Sequence, residues 1–130
     1  MDVNHGESLE ELDGKAWGDP PADATILMEE IYRLRRVKLK DLSTEDVARL
    51  LRQREGAEWV VPLAMDQLDD DPLAGDGYPG QLLASVLHNR DYFERFPNEL
   101  LRLHSIRRDL IQLREDVEKV LTNPDWPRDI

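Results

Sequence analysis

The sequence predicts an all-α fold: a compact bundle of about five to six helices, with a long C-terminal helix and an irregular N-terminal arm. Three observations predict it. Apolar residues recur at spacings of three and four through most of the 130 residues, which is the period of one helix face. No stretch alternates Val or Ile with polar residues as a half-buried strand would. Caps and stops such as Ser43, Gly56, Pro72 and Asn98 fall between the periodic runs. A chain of this length has room for one core.

Residues 1–23 show no sustained period and contain Gly14, Gly18 and the pair Pro20 and Pro21, so they read as an arm. Leu9, Leu12 and Trp17 are its expected anchors. A helical domain follows over residues 24–122, and residues 123–130 form a tail. With Asp23 as N-cap, Ile26, Leu27, Ile31, Leu34 and Val37 share a stripe on the first helix. Ser43 and Asp46 have capping-box spacing, and Val47, Leu50 and Leu51 continue into a short second helix that stops near Gly56.

The run from Glu58 to Leu68 places Trp59, Val60, Leu63, Ala64 and Leu68 at helical spacing. Pro62 belongs in the first turns of that helix or at a kink, because its ring removes a donor. Asp69, Asp70 and Asp71 then crowd the C-terminal end, where the helix dipole disfavours negative charge. Departures from local consistency concentrate at functional sites, so the triplet draws attention. Pro72 closes the helix and the segment from Gly75 to Gly80 supplies turn residues. Gln81 to His88 reads as a short helix, and the segment from Asp91 to Pro97 as a helical turn. From Asn98 as cap, Leu100, Leu103, Ile106, Leu110, Leu113, Val117, Val120 and Leu121 keep one stripe, so this helix is expected to pack across the others.

Charge narrows the function. The net charge of −11 repels phosphate backbones, so nucleic acid is not an expected partner. The acid is concentrated: residues 1–23 hold one Lys against seven acids, and residues 55–97 hold only Arg90 and Arg95 against nine. Residues 24–54 are the basic exception, with eight basic side chains against five acids. Its cluster of Arg33, Arg35, Arg36, Lys38 and Lys40 reads as charge balance toward the acidic middle or the arm, since no aromatics interleave with it. The absence of Cys leaves no disulfide framework or thiolate metal site and suits a reducing cytoplasm. The polar N-terminus carries no signal-peptide core, and no run is long enough to span a membrane.

No constellation points to catalysis. His5, His88 and His104 have no second His or Cys at ligand spacing. His88 with Asp91 is the best such pair, and a His balancing a helix end is its ordinary explanation. Paired acids such as Glu29 with Glu30 read as open helix faces, not as a pair with split pKa values. No glycine-rich phosphate loop and no nucleophile elbow occurs. No metal and no cofactor is therefore expected. Trp59 reads as core, and Tyr78, inside a turn, as an interface anchor.

The order from Lys38 to Leu87 resembles the immunity proteins of bacterial contact-dependent growth inhibition (CDI) systems, the CdiI family. The likeness rests on Leu39, Leu42, Ser43, Glu45, Asp46, Gln53 and Gly56, then Val61, Pro62, Leu63, Ala64 and Leu68, then Pro72, Leu73, Gly75, Tyr78, Gly80, Leu82 and Leu83. The chain departs from the family pattern at Arg54, Glu55, Ala57 and Gln81. The resemblance implies a non-enzymatic protein that binds and neutralises the cognate C-terminal toxin domain of a CDI effector; the sequence leaves the oligomeric state open, with a monomer favoured, and the cytoplasm is its expected location. Such toxins are frequently nucleases with basic clefts. The acidic middle then supplies the expected toxin-binding group: Asp66, Asp69, Asp70, Asp71, Asp76, Tyr78 and Glu94. A different reading, a helical adaptor or regulatory protein binding a partner helix in an apolar groove, requires no acidic face.

Overall fold

A computed structural model describes residues 5–127. Among them are seven α-helices, α1 (Leu9–Asp13), α2 (Ile26–Leu34), α3 (Thr44–Arg52), α4 (Ala57–Asp70), α5 (Gln81–Val86), α6 (Arg90–Arg95) and α7 (Pro97–Leu121), with a 3₁₀ turn at Leu39–Asp41. The helix beyond the expected count is α1, one turn within the stretch that lacks a period. Ser8 starts it, taking the Glu11 amide on Oγ while the Glu11 carboxylate takes the Ser8 amide. Five residues are too few to show a 3.6-residue pattern, which is why only the cap pair betrays this helix in the sequence.

α3 lies at the centre, packed against α2, α4 and α5, while α7 packs on α4 and α6. The capping box at its start is present: the Asp46 amide donates to Ser43 Oγ at 3.0 Å and the Ser43 amide to the Asp46 carboxylate at 3.1 Å. Val47, Leu50 and Leu51 of α3 meet Val60, Val61, Ala64, Met65 and Leu68 of α4 and Leu82 and Val86 of α5, all buried. Trp59 packs partly buried against this core. Pro62 falls in the second turn of α4, where it leaves the carbonyl of exposed Glu58 to solvent. Gly56, with φ of +67°, caps α4, and a Cβ there would lie 2.6 Å from Leu9 Cδ2. The missing side chain is thus the socket that receives Leu9 and docks α1 on the core.

Two stripes are shorter than expected. In α2 only Ile31 and Leu34 are buried, while Ile26 is 86% exposed and Leu27 also faces outward. The helix starts after Thr25, not Asp23, and its first turn is left largely exposed. In α7 only Ile106 is buried; Leu113, Val117, Val120 and Leu121 are exposed, so the helix does not pack across the others along its length. Its 25 residues reach about 37 Å at the α-helical rise. None of the described helices is long and apolar enough to cross a membrane.

Candidate functional site: the acidic end of α4

Asp66, Asp69 and Asp70 project from the second half of α4, all exposed. Spacing of three and four puts their carboxylates on neighbouring turns. The first two converge on one guanidinium: Arg102 of α7 donates from Nη2 to Asp66 at 3.0 Å and to Asp69 at 2.5 Å, and from Nη1 to Glu99 at 3.1 Å. Burial works against the Arg102 charge, and the hydrogen bonds to Asp69 and Asp66 outweigh it, raising its pKa above the usual guanidinium value. One cation therefore answers three carboxylates and the cluster stays negative. Asp70 has no ion-pair partner among the described residues.

Asp71 ends the helix instead of extending it. Its amide donates to the Gln67 carbonyl and its Oδ1 accepts from the Leu73 amide at 3.0 Å, which turns the chain away. The dipole conflict at this helix end is thus met in two ways, by the Arg102 cation and by use of Asp71 as a turn former. The loop that follows is folded tightly on itself: the Gly77 amide donates to Gln81 Oε1 at 2.8 Å, and a Cβ on Gly75 would stand 2.2 Å from the Tyr78 carbonyl. Only glycine fits there.

That loop carries Asp76 and Tyr78 back onto α3. Asp76 accepts from the Glu45 amide at 3.2 Å, in the first turn of α3, where a helix favours negative charge. Tyr78 is 48% exposed, and its hydroxyl accepts from Arg52 at 3.3 Å. Glu94 lies on α6 and pairs with Arg90 one turn back, at 2.9 Å. The structure therefore joins Asp66 and Asp69 directly and holds Asp70 and Asp71 beside them. Asp76 and Tyr78 are set on the α3 side of the loop, and Glu94 forms a separate pair.

Two residues of the site escaped sequence reasoning. Arg102 sits within the last helix at a position the apolar stripe leaves unremarked, and its partners are more than thirty residues away. Gln81 is buried and organises the loop, which its polar side chain at the start of an apolar helix hints at only in retrospect. The basic cluster is absorbed mainly by the N-terminal segment, the turn after α3 and α2 itself: Arg35 pairs with Asp13 and Glu55, Arg36 with Glu10, and Arg33 with Glu30. Among the described residues no group of three or more His, Asp or Glu side chains is placed to hold a metal ion.

Fold and site define an all-α protein that displays an acidic, pre-organised surface at one helix end. The family model of CDI immunity proteins, CdiI_3, matches residues 11–103, more than half of the chain. The chain belongs to that family. No curated protein and no solved structure matches it.

Proposed function

We propose that this protein binds the C-terminal toxin domain of its cognate CDI effector in the cytoplasm and blocks a basic, nucleic-acid-cleaving cleft, acting by occupancy and not by chemistry. The observation that carries this reading is the under-neutralised cluster on α4 and α7, in which Arg102 faces Asp66, Asp69 and Glu99 while Asp70 has no cation among the described residues. Such a cluster has acceptor capacity left for Lys or Arg from a partner. Arg102 fixes the carboxylates in place beforehand, so less side-chain entropy is lost on binding. Tyr78, with its hydroxyl held by Arg52, offers an amphipathic ring on the α3 side of the loop that follows the cluster.

Changing Asp69, Asp70 and Asp71 together to Asn tests the placement. Toxin affinity should fall by at least about tenfold in low salt, where a buried or nearly buried charge pair contributes most. The thermal midpoint is read alongside, because Asp69 and Asp71 also have internal partners. Unchanged affinity in a folded variant would remove the acidic end from the interface. The nuclease reading has a separate check: the wild-type chain should compete with a nucleic-acid substrate for the isolated toxin domain.

A further inference from the structure

We infer that two copies of this chain pair antiparallel through α7, the outer half of each helix seated in an apolar groove of the other. The groove is a cavity of about 370 Å³ between the end of α5 and α7. Leu83, Leu87, Leu103, Leu110 and Ile111 form its wall, with Arg107 and Arg114 at the rim. Leu87 and Ile111 are exposed, so an apolar surface stands open on a molecule of net charge −11. Beyond it the same helix carries Leu113, Val117, Val120 and Leu121, exposed and without a partner element among the described residues.

Length and charge select the occupant. Groove residues on α7 run from Leu103 to Arg114 and the unpacked half from Ile111 to Leu121, each about 15 Å at the helical rise. Centred at the level of Gln112, an antiparallel pair sets Leu103 against Leu121 of the second copy and Arg107 against Val117. Residues 102–108 contain Arg102, Arg107 and Arg108 and no acid, whereas residues 115–121 contain Glu115, Asp116 and Glu118 against Lys119 alone. Antiparallel pairing lays the basic half of each helix on the acidic half of the other, with Arg107 within reach of Glu115 and Glu118. Parallel pairing lays like on like. Helix dipoles add in the same sense.

Sedimentation of the full chain over a range of concentrations tests this. A reversible monomer–dimer equilibrium is expected. Val117→Glu, at an exposed position, should abolish the dimer while the circular dichroism spectrum stays helical. Arg107→Glu and Glu118→Arg should each weaken it by about tenfold through paired rim contacts on both sides of the two-fold axis. The double variant R107E/E118R should recover most of the loss, since it exchanges the charges across the same contact. Because the chain has no Cys, single cysteines report orientation: Ile111→Cys should cross-link to itself under mild oxidation, and Leu121→Cys should not. A monomer at the highest concentration reached overturns the inference, as does a dimer indifferent to Val117→Glu or one that cross-links through Leu121→Cys. So does a groove that gains hydrogen-exchange protection only when toxin is added.

Discussion

Arg35 is 2% exposed, and the sequence shows it only as one member of a basic run. Its Nη2 lies 2.9 Å from both oxygens of Asp13 and 2.7 Å from the Lys15 carbonyl, its Nη1 3.1 Å from Glu55, and the Trp17 ring covers it at 4.4 Å. The N-terminal segment is thereby tied to the core by a buried cation, alongside Leu9 in the Gly56 socket and backbone hydrogen bonds that link Glu7 and Glu10 to Leu39 and Arg35. Burial alone would raise the Asp13 pKa; the Lys15 amide and the Arg35 guanidinium outweigh it and hold the carboxyl below the ordinary 3.8. A carboxyl depressed in the folded state stabilises the fold above its unfolded pKa and loses that contribution as pH falls through the folded value. Asp13→Asn should therefore destabilise the protein by about 2 kcal/mol near neutral pH, the magnitude of a hydrogen bond to a charged group. Urea melts at stepwise lower pH should show the two proteins converging below about pH 4. A constant difference across that range would mean that Asp13 acts by packing alone.

At the scale of elements, what was legible follows from what a period encodes. Spacing at three and four marked α3, α4 and α7 and the turn at Gly75 to Gly80, because each rule there is local: a cap, an apolar face, a glycine without room for Cβ. A period reports that a face is apolar, not what lies against it. α7 shows the difference, since one continuous stripe divides into a packed part around Ile106 and an unpacked part from Leu113 onward. The same limit hid Arg102, whose role depends on α4 being its neighbour. Of the acidic group, the Asp66 to Asp71 segment was legible as a conflict with the helix dipole, while the remote pairing of Asp76 with Glu45 was not. The division of α7 predicts unequal responses to truncation. In dilute protein, Ile106→Ala should cost about 3 kcal/mol, as buried Ile to Ala changes do, and Val117→Ala should stay within about 0.5 kcal/mol. Equal losses in denaturant melts would show that the outer half is packed in the monomer after all.

For the whole molecule, the useful quantity is where the net charge of −11 remains once internal pairs are subtracted. Of the seven acids of the N-terminal segment, Asp13 is engaged by Arg35 and Glu10 by Arg36, while Glu11 caps α1 through Ser8. Residues 55–97 carry nine acids against Arg90 and Arg95, and Arg90 is already taken by Glu94. Acid left without a cation among the described residues includes Asp70, Asp71 and Asp76, so the α4 end and its loop contribute an outward negative field. A field of that kind acts at distances beyond contact and accelerates encounter with a basic partner, with little effect on how long the pair stays together. Raising salt from about 0.05 to about 0.5 M shortens the Debye length from roughly 14 to roughly 4 Å, which removes the steering and leaves the short-range contacts. Stopped-flow association with the cognate toxin domain should then slow by about tenfold or more while dissociation changes far less. Asp70→Asn, which removes a carboxylate that has no cation among the described residues, should flatten the salt dependence without lowering the thermal midpoint. An association rate indifferent to salt would separate the charge from the binding and move the interface to an apolar surface, where a partner helix would dock without electrostatic guidance.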